Sequence, residues 1–242
     1  GIRTDRILLS ATHTHSAPSL MQAHGTDCDP HYPAFLIPRL AEGAAIAQRN
    51  LVPARAGWIT VEAPGHTYCR RWIRRPDRLL EDPFGRLSAR ANMHPGHCQG
   101  DVIGPSGPAD PGLTVLAVET QAGRPIALLA NYSMHYFGAP AVSSDYYGRF
   151  AEKIAQRLSA GAASDAGPPV VGIMSQGTSG DLQWMDYSQP QRGINYDQYA
   201  QELAELVLEA YSRINFRADV TLEMIDRDLE LPMRVPDAER LG

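Results

Sequence analysis

The sequence predicts an α/β protein built on a mixed β-sheet flanked by helices. Apolar runs of strand length interleave with segments of helical periodicity along the chain. Two of those runs, residues 113–119 and 125–133, are separated only by Gln121-Ala-Gly-Arg124 and read as a hairpin, which makes the sheet mixed. Hydrophobic residues make up 43% of the 242 and charged residues 20%, enough apolar material for a core and no signature of disorder.

Taken in order, residues 6–12 (RILLSAT) form a short apolar run without turn residues, the pattern of a buried strand. Asp29-Pro30 is a helix start, with Asp as N-cap and Pro at the first position. The segment that follows, to about residue 50, carries Phe35, Leu36, Leu40, Ala44 and Ile46 at helical spacing, and Pro38 marks a kink or a later start. Residues 56–63 alternate as a strand. Residues 64–112 are rich in Gly, Pro and Arg and read as a long functional or lid-like loop. Beyond the hairpin, residues 146–158 form a helix with Phe150, Ile154 and Leu158 on one face. A flexible Gly/Ala/Ser linker, 159–167, leads to a strand at 169–174. Residues 196–214 are the clearest helix, with Leu203, Leu206, Val207 and Ala210 recurring every three or four residues, and 219–231 alternate as a final strand. The chain reads as one domain, 1–242. Opening at Gly1 without an initiator Met, it is expected to be a piece of a longer protein.

Composition excludes several classes. A net charge of −5, from 22 basic and 27 acidic side chains, argues against a nucleic-acid partner. No stretch approaches the ~18–20 apolar residues of a transmembrane segment, and few apolar stretches read as exposed. Cys28, Cys69 and Cys98 are too few and too scattered for a disulfide scaffold or a Cys-rich metal site. No signal sequence is visible, and nothing sets the oligomeric state.

The sharpest chemical feature is Thr12-His13-Thr14-His15-Ser16 at the end of the first run. Residues i and i+2 of a strand share a face, so both imidazoles can converge on one point. Neutral imidazole is a common zinc ligand, and a catalytic zinc takes about three protein ligands plus an open position. The same two histidines are also compatible with an inert, hydrogen-bonded polar loop. His135 closes the run at 126–130 in a matching context, either as a second contributor to a site across strand ends or as a hydrogen-bonding cap. Residues 174–181, with Gly177-x-x-Gly180-Asp181, form a tight loop after a strand. It lacks the Lys of a P-loop and the second Gly of a nucleophile elbow. Arg70, Arg71, Arg74, Arg75 and Arg78 form either a carboxylate- or phosphate-binding cluster or a solvated face. His94 and His97 make a second histidine pair without ligand-like neighbours.

In this order the motifs resemble the neutral/alkaline (non-lysosomal) ceramidase family, in its N-terminal catalytic domain. The matching pieces are Leu9-Ser-Ala-Thr-His-Thr-His-Ser-Ala-Pro18, Arg70-Arg71-Trp72, Gly107-Pro-Ala-Asp-Pro111, Pro125-Ile-Ala-Leu-Leu-Ala-Asn-Tyr-Ser-Met-His135, Ser144-Asp-Tyr146 and Ser175-Gln-Gly-Thr-Ser-Gly-Asp181. The wording from Gly177 to Ser188 is more similar to a bacterial ceramidase-like branch.

The resemblance implies a zinc-dependent hydrolase of amide bonds, with zinc on His13 and His135 and metal-activated water as the attacking group. It gives His15 the role of assisting the tetrahedral intermediate. Arg70, with Arg71 as second choice, holds the reacting carbonyl or carboxylate. It further implies a small-molecule or lipid amide substrate and export to the periplasm or outside the cell. Two departures accompany it. The family's remaining zinc ligands, a Glu and a Tyr, are expected beyond residue 242, so the domain would be incomplete. Gln183 stands where ceramidases carry a catalytic Ser. A metallo-β-lactamase-type hydrolase is one alternative, although Ser16-Ala17 replace the Asp-His that such sites carry after the second His. A non-catalytic ligand-binding domain retaining the fold is the other.

Overall fold

The computed structural model describes residues 2–23, 25–160, 167–233 and 237–241, with the side chains of 240 and 241 left aside. The principal strands and helices, in chain order, are α1 (Tyr32–Arg49), β1 (Ala54–Glu62), β2 (Tyr68–Cys69), β3 (Arg71–Arg74), β4 (Leu80–Glu81), β5 (Leu87–Ala89), β6 (Ala91–Met93) and β7 (Val102–Pro105). They continue with β8 (Gly112–Thr120), β9 (Pro125–Tyr132), α2 (Asp145–Ser159), β10 (Val171–Gln176), β11 (Leu182–Gln183) and α3 (Tyr196–Tyr211).

The main sheet has the order β1-β8-β9-β10. β8 pairs antiparallel with both β1 and β9, as the hairpin requires, and β10 pairs parallel with β9, so the sheet is mixed. Gly123, with φ +85°, makes the hairpin turn, a conformation that favours glycine. Alternation along β8 sends Leu113, Val115 and Ala117 inward, where they meet Leu128 and Ala130 of β9, Tyr146, Phe150 and Ile154 of α2, and Leu203 and Val207 of α3. α3 starts with a capping box: Asn195 accepts from the backbone of Gln198, whose side chain accepts from the backbone of Asn195. Gly172 permits the close approach of β10 to α2, since a Cβ there would run into the Ala151 carbonyl.

The opposite face of this sheet is also apolar. Trp58, Leu116, Leu129 and Ile173 stand in register across all four strands, and Trp58, Leu116 and Ile173 are exposed. None of the residues of α1 is buried either, and Phe35, Ile37, Leu40 and Ile46 face solvent. This overturns the expectation of few exposed apolar stretches. α1 runs through Pro38 without interruption and starts at Tyr32, with His31 and not Asp29 at the N-cap; the Asp29 carboxylate, two residues before the cap, accepts from the backbone of His31 and Tyr32 at 2.8 Å.

Residues 6–12 and 219–231 are not strands. Both run without ladder partners, and Leu8 and Leu9 are 82% and 79% exposed. An apolar or alternating run satisfies the strand pattern, but a strand exists only where a neighbouring chain accepts its hydrogen bonds. The expected long loop 64–112 instead carries six short strands, including a sheet of order β6-β3-β7. Most of the Gly/Ala/Ser linker, 161–166, lies outside the described residues.

Candidate metal centre

His135 lies just past the end of β9, on a stretch held by side chains rather than by a ladder. Thr67 Oγ1 donates to the Ser133 carbonyl at 2.7 Å, Gln176 Nε2 to the Met134 carbonyl at 3.2 Å, and the Tyr147 hydroxyl to the His135 carbonyl at 2.7 Å. Asp145 fixes Phe137 and Gly138, two and three residues past His135. Its buried carboxylate accepts from the backbone of Phe137 at 3.1 Å and Gly138 at 2.9 Å, and also from its neighbour Tyr146. A carboxylate satisfied by three backbone N–H groups is a strong anchor in a water-poor interior. His135 is consequently buried and rigidly placed, 5% exposed.

His13 and His15 reach the same place by a different route from the one expected. His13 has φ +57°, so the two rings converge through a turn and not along the pleat of a buried strand. The turn is tied to the loop that follows His135: Thr14 Oγ1 donates to the Ser143 carbonyl at 3.0 Å and Ser16 Oγ to the Ala139 carbonyl at 3.1 Å. His15 also stacks on Tyr136, with ring centroids 3.7 Å apart.

The three imidazoles form one cluster, with one nitrogen from each lying within 4.8 Å of the others. His13 Nε2 and His15 Nε2 are 3.0 Å apart, and the His13 and His135 rings meet edge to face at 4.7 Å. Two nitrogens bonded to one tetrahedral zinc at ~2.0–2.1 Å stand about 3.3 Å apart, so the spacing suits that ion. His135 Nδ1 is 2.9 Å from the Ser179 carbonyl oxygen. A carbonyl only accepts, so Nδ1 carries the proton and Nε2 keeps its lone pair, the tautomer a metal ligand needs. Burial holds the pKa of His135 down to about 4, with the charges of Arg70, His13 and His15 acting the same way and the Ser179 carbonyl opposing them. Burial lowers that of His15 too, helped by His13 and Arg70. Both are therefore neutral at pH 7, as donors to a cation must be.

Arg70 is placed at the edge of this cluster by two short pairings. Its backbone N–H donates to the Asp181 carbonyl at 2.8 Å, beside the β2–β11 pair. Its guanidinium donates twice to the Gly180 carbonyl, from Nε at 3.1 Å and Nη2 at 2.7 Å. Successive carbonyls of one loop, Ser179 and Gly180, thus hold the imidazole and the guanidinium. Arg71 pairs with Met93 in the small sheet and is exposed. His97 is turned away, its Nδ1 meeting the carbonyls of Asp186 and Gln189. Gln183 is buried on β11.

Several residues that build the site have no chemical signature of their own in the sequence. Tyr147 and Gln176 act through backbone carbonyls far away in the chain, and Tyr136 through its ring face. Asp145 had a local signal, an acidic residue at the start of a helix, but φ +55° and its partners at 137–138 are tertiary facts. Among the described residues, no helix is long and apolar enough to cross a membrane.

No family model matches the chain, and no curated protein matches it. Solved structures do. A neutral ceramidase from Pseudomonas aeruginosa is 15% identical over 76% of this chain and 26% of its own, with a TM-score of 0.47. A ceramidase complexed with C2 is 15% identical over 67% of this chain and 23% of its own, with a TM-score of 0.44. The chain spans about a quarter of the length of these structures.

Proposed function

We propose that this chain carries the histidine half of a zinc-dependent hydrolase that cleaves an amide bond. The observation that carries the reading is the convergence of His13, His15 and His135, with one nitrogen of each within 4.8 Å of the others. The motif resemblance to neutral ceramidases supports the choice of zinc and of an amide. Zinc held there would lower the pKa of water from ~15.7 to ~7 and polarise the scissile carbonyl.

The residues divide the remaining work. His13 and His135 supply lone pairs to the ion. The hydrogen bond between His13 Nε2 and His15 Nε2 needs a proton on one of the two nitrogens. With the proton on His15, the His13 lone pair accepts it here; giving that lone pair to an ion would replace the hydrogen bond and release the His15 N–H to donate to the oxyanion of the tetrahedral intermediate. Arg70, with its charge beside the cluster, adds a second source of stabilisation for that oxygen. One such donor is typically worth about 3–4 kcal/mol. A small-molecule or lipid amide as substrate, and export as location, belong to this proposal and rest on the resemblance alone.

A ligand-binding domain without turnover is the second reading, and the buried Gln183 in place of a catalytic Ser favours it. The two separate on a panel of acyl amides and esters assayed with the full-length protein, loaded with zinc or stripped by a chelator. Zinc-dependent hydrolysis of any amide supports the first reading. Bound zinc without turnover of any member supports the second.

A further inference from the structure

His94 lies outside the three-histidine cluster, yet it touches Arg70 twice. Its backbone N–H donates to the Arg70 carbonyl at 3.0 Å, at the point where β3 and β6 begin to pair. Its Nε2 lies 3.3 Å from Arg70 Nη1. Arginine has no acceptor, so the guanidinium donates and His94 Nε2 must be the lone-pair nitrogen. The proton then sits on Nδ1, which meets the Tyr187 hydroxyl oxygen in a short hydrogen bond. Tyr187 is itself buried, with its ring against those of Trp72 and His97. The tautomer of His94 is therefore fixed from both sides.

The backbone of His94 has φ +61°, a conformation rare outside glycine. His13 and Asp145 share this feature, so three of the five non-glycine residues with positive φ among the described residues surround the same site. Strained conformations of this sort persist where the surroundings over-determine them and collect at functional sites.

We propose that His94 is the positioning residue for Arg70. Gly180 holds the guanidinium from one side and His94 from the other, and Tyr187 holds His94. The pair of clamps leaves one N–H each on Nη1 and Nη2 for an oxygen at the histidine cluster. The inference rests on the role given to Arg70 above, and its experiment separates the two. Burial and Arg70 both lower the pKa of His94, so it stays a neutral acceptor at pH 7.

The test uses full-length, zinc-loaded protein carrying His94→Phe, His94→Gln or Tyr187→Phe. Phenylglyoxal labelling of Arg70, followed by peptide mass spectrometry, reads the clamp directly. Labelling in His94→Phe is expected to rise at least about threefold, with zinc content unchanged. On an amide that the wild type hydrolyses, kcat should fall about 10- to 100-fold with KM within about twofold, as expected for a misplaced donor. His94→Gln, whose amide oxygen accepts the same bond, is expected to recover most of both losses, and Tyr187→Phe to fall between. Unchanged labelling in His94→Phe overturns the proposal, as do equal kinetic losses in the Phe and Gln variants. If the wild type hydrolyses no amide, the hydrolase reading fails and the labelling ratio alone decides the positioning.

Discussion

His135 and Ser179 are joined by a 2.9 Å hydrogen bond from the ring Nδ1 to the backbone carbonyl, across 44 residues of chain. That contact couples the segment just after β9 to the loop after β10, and the next carbonyl of the loop holds Arg70. Metal-ligating histidines characteristically donate their second ring N–H in this way, which fixes the ring and raises its basicity.

Tyr147 holds the backbone of His135 through its hydroxyl, which also accepts from Gln176 Nε2 at 2.9 Å. Tyr147→Phe leaves the His135 carbonyl without that donor, at a cost of about 1–3 kcal/mol in urea unfolding. Zinc affinity, measured by competition with a chelator, should weaken by about tenfold or more. An unchanged affinity would show that the backbone of His135 is fixed without Tyr147.

Asp145 is the acceptor for three backbone N–H groups in a buried turn. Asp145→Ala strands those donors, and the loss of stability should reach about 3–5 kcal/mol, more than most single substitutions. Thermal unfolding of the two proteins side by side gives the answer. A shift of a degree or less would mean that water replaces the carboxylate.

His15, His66, His94 and His135 all have pKa values lowered by burial, that of His135 to about 4. A histidine whose folded pKa lies below its unfolded value takes its proton first in the unfolded chain. Stability of the metal-free protein should therefore be full above about pH 6.5 and decline as pH falls towards 4. The contribution of His135 to that decline is about 1–3 kcal/mol. Urea midpoints collected between pH 4 and 7.5 test the sign, and a rise in stability on acidification would refute it.

His15→Ala should separate assistance from ligation. With His13 and His135 intact, zinc content is expected to stay near the wild-type level while kcat falls about 10²- to 10³-fold, the usual cost of one oxyanion donor. Loss of zinc equal to that in His135→Ala would make His15 a ligand instead.

The sheet and its covering helices were legible because each element announces itself locally. The hairpin at 121–124 has its glycine turn, and α2 and α3 repeat their apolar residues at helical spacing. Residues 6–12 and 219–231 misled because apolar pattern describes a side-chain sequence and says nothing about a ladder partner. The strands β2 to β7 escaped because two to four residues are too few for a period to show. At the site, the three histidines were visible by their chemistry, whereas the turn at His13 that brings two of them together depends on a backbone dihedral the sequence does not display. The clamp on Arg70 is less legible still, since His94 and Gly180 meet Arg70 from 24 and 110 positions away and Tyr187 meets His94 from 93.

The turn near residue 13 and the segment after β9 are proposed to share one cation. Zinc content of the purified full-length protein, compared with His13→Ala and His135→Ala after identical dialysis, tests this most directly. About one equivalent in the wild type and a loss of most of it in each variant is the expected result. Unchanged zinc in both variants, or none in a wild type supplied with the metal, would contradict it.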